Sequence, residues 1–375
     1  MPANHRNAPP IMSAAPGPKT IINNREVDYF CGFGYYGLQS HPDIIQAACD
    51  AMQRYGINSG TGPSGYGNNP ILQSVEQKAA HFFGAESAFY FVSGYLGNAI
   101  LLQGLAPDYD LIFVDSESHY SIFDGIAMSG KAHLTFAHRS SSDLALQLKT
   151  HLKPGQRPLV ISDGVFPTSG ELAPLVEYDK VLSNYPDSIL CVDDAHAYGV
   201  IGHHGRGSLE YWGIEGLRRY SCGTLSKAVG GHGGLITGSA ALINQLKTRC
   251  KVFVGSSTVP VPAAAAAAAG LDILGEHPEM GEQLWENVAY AKNAFRNLGF
   301  SNIPDTPVPI ICLGCTGKDL AAIQQQLFEQ NITVQYVPGG SYTSAPKNGA
   351  LRIAIFSGHS RGQIDHLVCE IGSML

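Results

Sequence analysis

Four short apolar runs in this chain each end in a small or acidic polar group. Ala88-Phe89-Tyr90-Phe91-Val92 leads into Ser93-Gly94-Tyr95-Leu96-Gly97-Asn98, and Leu111-Ile112-Phe113-Val114 into Asp115. Pro158-Leu159-Val160-Ile161-Ser162 leads into Asp163-Gly164-Val165-Phe166, and Ser188-Ile189-Leu190-Cys191-Val192 into Asp193-Asp194-Ala195-His196. Unbroken apolar runs of this length read as strands buried on both faces, which is how a parallel sheet looks in sequence. Helical stripes alternate with them, at Val75, Ala79, Phe82 and Phe83 ahead of the first run and at Leu144, Leu148 and Leu152 between the second and third. Residues 132–136 read as a further strand, and the sheet closes near Gly234-Leu235-Ile236-Thr237. The chain is therefore an α/β protein whose site lies along the C-terminal edge of its strands.

The chemistry at that edge centres on Ser221-Cys222-Gly223-Thr224-Leu225-Ser226-Lys227, followed by Gly230-Gly231-His232-Gly233-Gly234. A lysine three residues after a threonine, among small residues, suits an amine that meets a carbonyl while a hydroxyl holds a phosphate. That is the arrangement of a pyridoxal phosphate (PLP) Schiff base. Most Thr-x-x-Lys sequences are surface turns, so the reading leans on the strand about thirty residues upstream. PLP chemistry needs a carboxylate that keeps the pyridine nitrogen protonated, and Asp193, at the end of a buried strand, is placed for it. His196 would reach the ring's phenolic oxygen. Helix capping by Asp193 and Asp194 is the plain alternative, and it leaves one aspartate without a task. Ser93-Gly94-Tyr95 opens a helix, where free N–H groups and a bare glycine favour a phosphate. Without the lysine it would read as an ordinary strand-to-helix turn.

Length and composition bound the rest. A chain of 375 residues exceeds one typical domain, and the expected division is an N-terminal arm and opening segment (1–45), a large PLP-binding domain (46–265) and a small C-terminal domain (266–375). Residues 1 to about 20 are expected to be a flexible arm. With 44% apolar and 15% charged residues, the composition disfavours disorder and a coiled coil. A net charge of −7 without a basic run speaks against nucleic acid as a partner. No stretch approaches the ~20 apolar residues of a membrane span, and residues 1–19 lack the apolar core of a signal peptide. Eight scattered cysteines read as reduced thiols in a cytoplasmic protein. Cys312-Leu313-Gly314-Cys315 has no companion pair, so no metal is expected. The seven alanines 263–269 form a helix that lets neighbours approach closely. Residues 58–70 are too rich in Gly, Asn and Pro to be regular.

From about Asp28 onward these motifs, in order and spacing, resemble the alpha-oxoamine synthase family of fold-type I PLP-dependent enzymes. The resemblance implies an aspartate aminotransferase-like fold, with a mostly parallel seven-stranded sheet in the large domain and a smaller C-terminal α/β domain. It also implies an acyltransferase that condenses an amino acid with an acyl thioester, carried by coenzyme A or an acyl carrier protein. Carbon dioxide is lost and an alpha-aminoketone is formed. Residue by residue, Ser93, Gly94, Tyr95 and Thr224 would bind the phosphate, His119 would stack on the ring and Asp163 would lie beside it. Asp193 and His196 would hold the ring nitrogen and oxygen, and Lys227 would form the Schiff base. Ser256 and Ser257 would reach the phosphate held by a second subunit, which implies a homodimer with shared active sites. Arg352 would grip the amino acid carboxylate, and Tyr35 would stand near the substrate. Three positions depart from the family pattern: Phe33 replaces a substrate-positioning asparagine, Pro63 an arginine and Leu72 a histidine. An unusual amino acid or acyl donor, in a specialised pathway, is therefore expected. Another PLP reaction on the same fold (transamination, aldol cleavage or decarboxylation) is the alternative. A nucleotide-binding protein would need a P-loop or Gly-x-Gly-x-x-Gly that is missing.

Overall fold

In the computed structural model, which describes residues 9–63 and 65–374, a hairpin comes first: β1 (Lys19–Ile22) and β2 (Arg25–Tyr29). Its turn residues Asn23 and Asn24 have φ of 48° and 63°, left-handed at both positions as a tight primed turn requires. Next come α1 (Pro42–Tyr55), α2 (Pro70–Phe83), β3 (Ser87–Phe91), α3 (Gly97–Gly104), β4 (Leu111–Asp115) and α4 (Tyr120–Ser129). They are followed by β5 (His133–Phe136), α5 (Ser141–His151), β6 (Pro158–Asp163), α6 (Leu175–Leu182), β7 (Ile189–Asp193) and the short α7 (Ser208–Tyr211). Then come β8 (Arg219–Thr224), β9 (Gly234–Gly238), α8 (Ala240–Arg249) and α9 (Lys251–Val254). The last third holds α10 (Val261–Glu276), α11 (Glu279–Asn297), β10 (Ile310–Leu313), α12 (Leu320–Glu329), β11 (Ile332–Thr333), β12 (Gln335–Val337), β13 (Ala350–Ala354) and α13 (Arg361–Met374).

The seven-stranded sheet has the order β3-β9-β8-β7-β6-β4-β5. Strands β5, β4, β6, β7 and β8 run parallel, and β9 is antiparallel to both neighbours, wedged between β3 and β8. Every residue of β6 and β7 is buried, which is why those stretches read as unbroken apolar runs. Because the connections return each strand in the same direction, Ser93, Asp115, Asp163, Asp193 and Thr224 arrive at one edge. The reversal into β9 carries the glycine-rich turn, and Lys227 with it, back across that edge.

Two three-stranded sheets complete the molecule, β1-β2-β11 and β10-β13-β12. The first corrects the expectation of a flexible arm. Met12 bridges Ile22, Ser13 N donates to Ile21 O and Asn23 N to Ile11 O, so residues 11–13 are pinned beside β1, while residues 1–8 lie outside the described residues. The N-terminal hairpin also joins the C-terminal unit, since β2 pairs in parallel with β11. The stretch 332–337 is split at Val334, because β11 belongs to one small sheet and β12 to the other. Helix α2 starts at Pro70, earlier than the apolar stripe alone indicates, with the Asn69 side chain accepting from Ile71 N and Leu72 N. The loop before it is irregular as expected, with Ser64 outside the described residues.

The alanine run forms the middle of α10, and Ala264, Ala265, Ala267 and Ala268 are buried. Contact there is so close that a Cβ on Gly270 would lie 2.0 Å from the carbonyl oxygen of Val229, two residues beyond Lys227. Backbone cannot retreat from such a clash as a side chain can. Gly270→Ala is expected to cost about 3 kcal/mol, read as a lowered urea midpoint, and an unchanged midpoint would contradict this packing. Among the described residues no helix is long and apolar enough to cross a membrane, and no His, Cys, Asp and Glu group could hold a metal ion.

Candidate active site

A cavity of about 200 Å³ opens at the C-terminal edge of the sheet, and its wall carries Ser93, Gly94, Tyr95, His119, Asp163, Asp193, His196, Thr224 and Lys227. Five separate strand ends and turns bring these residues together. Phe33, Ser121, Pro167, Ala195 and Ser226 complete the wall.

Asp193 closes β7, and its orientation is fixed from three sides. Oδ2 accepts from Asn98 Nδ2 at 2.6 Å and from Ser121 Oγ at 3.4 Å, and Oδ1 accepts from Ala195 N at 3.0 Å. Asn98 and Ser121 were not singled out by the sequence reading. Asn98 was visible as a polar residue on the buried first turn of α3, where an unpaired amide would be costly. Asp194 has a separate task, accepting from the backbone N and the hydroxyl of Ser208, so that it ties down residues 194–208. Burial pushes its carboxyl up to about 7.

Lys227 Nζ lies 5.6 Å from the centre of the Phe33 ring. Burial lowers its ammonium to about 8, against the pull of Asp193 and with a further push from Arg352. A lysine poised there is a usable nucleophile near neutral pH. Above that value the amine is neutral, so covalent capture of PLP by the apoprotein is expected to accelerate through about pH 8. Stopped-flow absorbance across pH checks this, and a midpoint at the ordinary lysine value of 10.5 would contradict it.

His119 caps α4 with its own ring: Ser121 N donates to Nδ1 at 3.2 Å. Its backbone N donates to Asp163 Oδ2 at 2.8 Å, and Ser121 Oγ lies 2.8 Å from Nδ1. Burial lowers the imidazole, which is therefore neutral. Asp163 is pushed well above the usual carboxylate range by burial and by the Asp193 charge. His196 is buried and likewise held neutral, with Nδ1 2.7 Å from the Tyr35 hydroxyl. Burial pushes that phenol up to about 12, so it keeps its proton. Tyr35, expected near the substrate, is fully buried behind His196, and Phe33 takes the wall position.

Thr224 Oγ1 donates to Gly233 O at 2.9 Å and accepts from Ser226 N at 3.1 Å. A Cβ on Gly94 would lie 2.6 Å from Thr224 Cβ, so only glycine lets the 93–97 turn meet β8. An amine, a fixed carboxylate, a neutral imidazole and a bare helix-opening turn around one cavity are the donor set that PLP requires. The residues fit the cofactor.

The remaining expected residues lie apart from that wall. Arg352 is buried on β13, its Nε donating to Pro167 O at 2.7 Å and its Nη1 to Gly32 O at 3.1 Å, directly behind the wall residue Pro167. Ser256 and Ser257 border a different cavity of about 290 Å³, shared with Pro63, Asn68 and Leu72. Two of the three departures from the family pattern therefore cluster at that second hollow, and Phe33 stands alone in the first.

A mostly parallel seven-stranded sheet with a lysine and an aspartate facing one cavity at its C-terminal edge defines a fold-type I PLP-dependent enzyme. The profile of the family described as aminotransferase class I and II matches residues 33–371. A putative 8-amino-7-oxononanoate synthase of Desulforudis audaxviator is 34% identical over 358 residues, covering 95% of this chain and 91% of that protein. The 8-amino-7-oxononanoate synthase of Thermoanaerobacter pseudethanolicus is 33% identical over 95% of this chain and 89% of its own. Among solved structures, serine palmitoyltransferase of Sphingomonas wittichii superposes with a TM-score of 0.90 at 27% identity, covering 98% of this chain and 92% of that one. A serine palmitoyltransferase solved with PLP gives 0.91 at 26% identity, over 97% and 92%. The chain belongs to the aminotransferase class I and II family, in its alpha-oxoamine synthase branch, and is a PLP-dependent acyltransferase.

Proposed function

We propose that this enzyme joins a small amino acid to an acyl thioester, with loss of carbon dioxide and of the thiol, to give an alpha-aminoketone. The observation that carries this reading is the shared cavity of Lys227 and Asp193, in a chain similar along nearly its whole length to 8-amino-7-oxononanoate synthases. Bound there, PLP supplies an electron sink for negative charge at the carbon beside the substrate amino group.

The chain's own residues do the rest. Asp193, fixed by Asn98 and Ser121, offers its carboxylate to the ring nitrogen, and His119 gives the ring a flat neutral surface. Lys227, with its lowered affinity for a proton, takes the proton from the alpha carbon and later returns one. Ser93, Gly94 and Thr224 hold the phosphate, and Arg352 answers the substrate carboxylate from behind Pro167. Phe33 turns that end of the cavity apolar and keeps water from the amine.

The enzyme works as a homodimer in the cytoplasm, Ser256 and Ser257 reaching the partner's phosphate. Cys191 and Cys222 are buried free thiols, in keeping with a reducing compartment. The test is a matrix of glycine, alanine and serine against short to long acyl-coenzyme A thioesters, followed by thiol release and product mass. One pair should give stoichiometric thiol and an aminoketone. A keto acid without thiol would replace this reading by transamination.

A further inference from the structure

The segment between β12 and β13 crosses the mouth of the cavity. Thr168 Oγ1 donates to Thr343 O at 2.7 Å, Ser344 N to Glu117 Oε2 at 2.8 Å, and Tyr120 Oη to Ser341 O at 3.1 Å. These ties hold Tyr342 between the inner cavity and an outer one of about 760 Å³, which shares Tyr95 with it. The Tyr342 hydroxyl lies 2.8 Å from His119 Nε2.

The direction of that bond follows from the other ring nitrogen. Ser121 N is a backbone donor, so His119 Nδ1 must carry a lone pair. In a neutral imidazole the proton then sits on Nε2, and Nε2–H donates to the tyrosine oxygen. Burial raises the Tyr342 phenol, so it keeps its own proton, and among the described residues no acceptor for that proton is bonded to it. A polarised hydroxyl donor, backed by an N–H, is left at the place where a second substrate must enter.

We infer that Tyr342 is a catalytic residue that donates its O–H to the carbonyl oxygen of the acyl thioester. When the substrate's alpha carbon attacks that carbonyl, a C–C bond forms and charge collects on the oxygen, then the C–S bond breaks and the thiolate leaves to take up a proton. A donor fixed at that oxygen lowers the barrier to the attack. His119 Nε2–H is already spent on Tyr342, so the tyrosine and not the imidazole presents the donor at this point.

This rests on the acyl-transfer reading above, and the experiment separates the two. With the PLP-loaded enzyme and the productive amino acid and acyl-coenzyme A pair, thiol release is measured for the unaltered protein and for Tyr342→Phe. Exchange of the amino acid alpha proton with deuterated solvent, which involves no thioester, is followed in parallel by NMR. Tyr342→Phe should lose about 10²-fold in kcat for thiol release, while alpha-proton exchange stays within a few-fold. Equal condensation rates, or an equal loss of both reactions, would overturn the assignment. If the unaltered enzyme releases no thiol from any thioester, the acyl-transfer reading falls and this assignment with it. Should Tyr342→Phe fold poorly, Tyr342→Gln, which keeps a side-chain donor at the cavity mouth, should retain more thiol release than Tyr342→Ala, while both variants exchange the alpha proton like the unaltered enzyme. Equal thiol release by those two variants would count against Tyr342.

Discussion

Lys227→Ala is expected to take up PLP without linking to it and to lose at least about 10⁴-fold in kcat. The cavity keeps its shape, because Lys227 is anchored through its backbone: its carbonyl accepts from Gln39 Nε2 at 2.6 Å and from Gly230 N at 3.1 Å. The turn at 93–95, proposed to hold the phosphate, is untouched, so weak cofactor binding is expected to survive. What disappears is the lysine amine on the cavity wall, the group proposed to move the alpha proton. Absorbance of the loaded protein and single-turnover rates check this. A variant that still links the cofactor, or turns over within tenfold, would remove Lys227 from its role.

Asp193→Asn separates chemistry from stability. The amide fits the same space and can still accept from Asn98, but the negative charge proposed to face the ring nitrogen is gone. A loss of about 10²–10³-fold in kcat is expected, with the apoprotein's thermal midpoint unchanged or raised. The sign of the second effect follows from the neighbours. Asp193 pushes up both Asp163 and Asp194, whose carboxyls burial already holds above their ordinary range. Groups raised in this way bind more protons folded than unfolded, so each costs stability as pH rises above its unfolded value near 3.8. Removing the Asp193 charge relieves that cost at neutral pH. Calorimetry of the apoprotein and steady-state rates of the loaded form give the two readouts. Retained activity would show that the charge at Asp193 is not what the chemistry uses.

Much of this was legible in the sequence because burial and chemistry coincide along the strands. The runs ending at Asp163 and Asp193 are apolar since both faces of a central parallel strand are covered, and the polar residue that breaks each run marks the edge where a ligand can reach. Asn98 and Ser121 were less legible. Their role depends on α3 and α4 meeting Asp193 from different parts of the chain, and nothing local to either residue announces it. The hairpin at 19–29 escaped because its strands are short and half exposed, although Asn23-Asn24 carried the turn signal. Tyr342 was not singled out for a further reason: nothing local to residues 338–349 announces that the fold brings them over His119.

The most direct test is to reduce the PLP-loaded enzyme with borohydride, digest it and locate the cofactor by peptide mass. The cofactor should be found on the peptide containing Lys227 and on no other lysine. Label at a different lysine, or none after loading, would contradict the placement of the active site at this edge of the sheet.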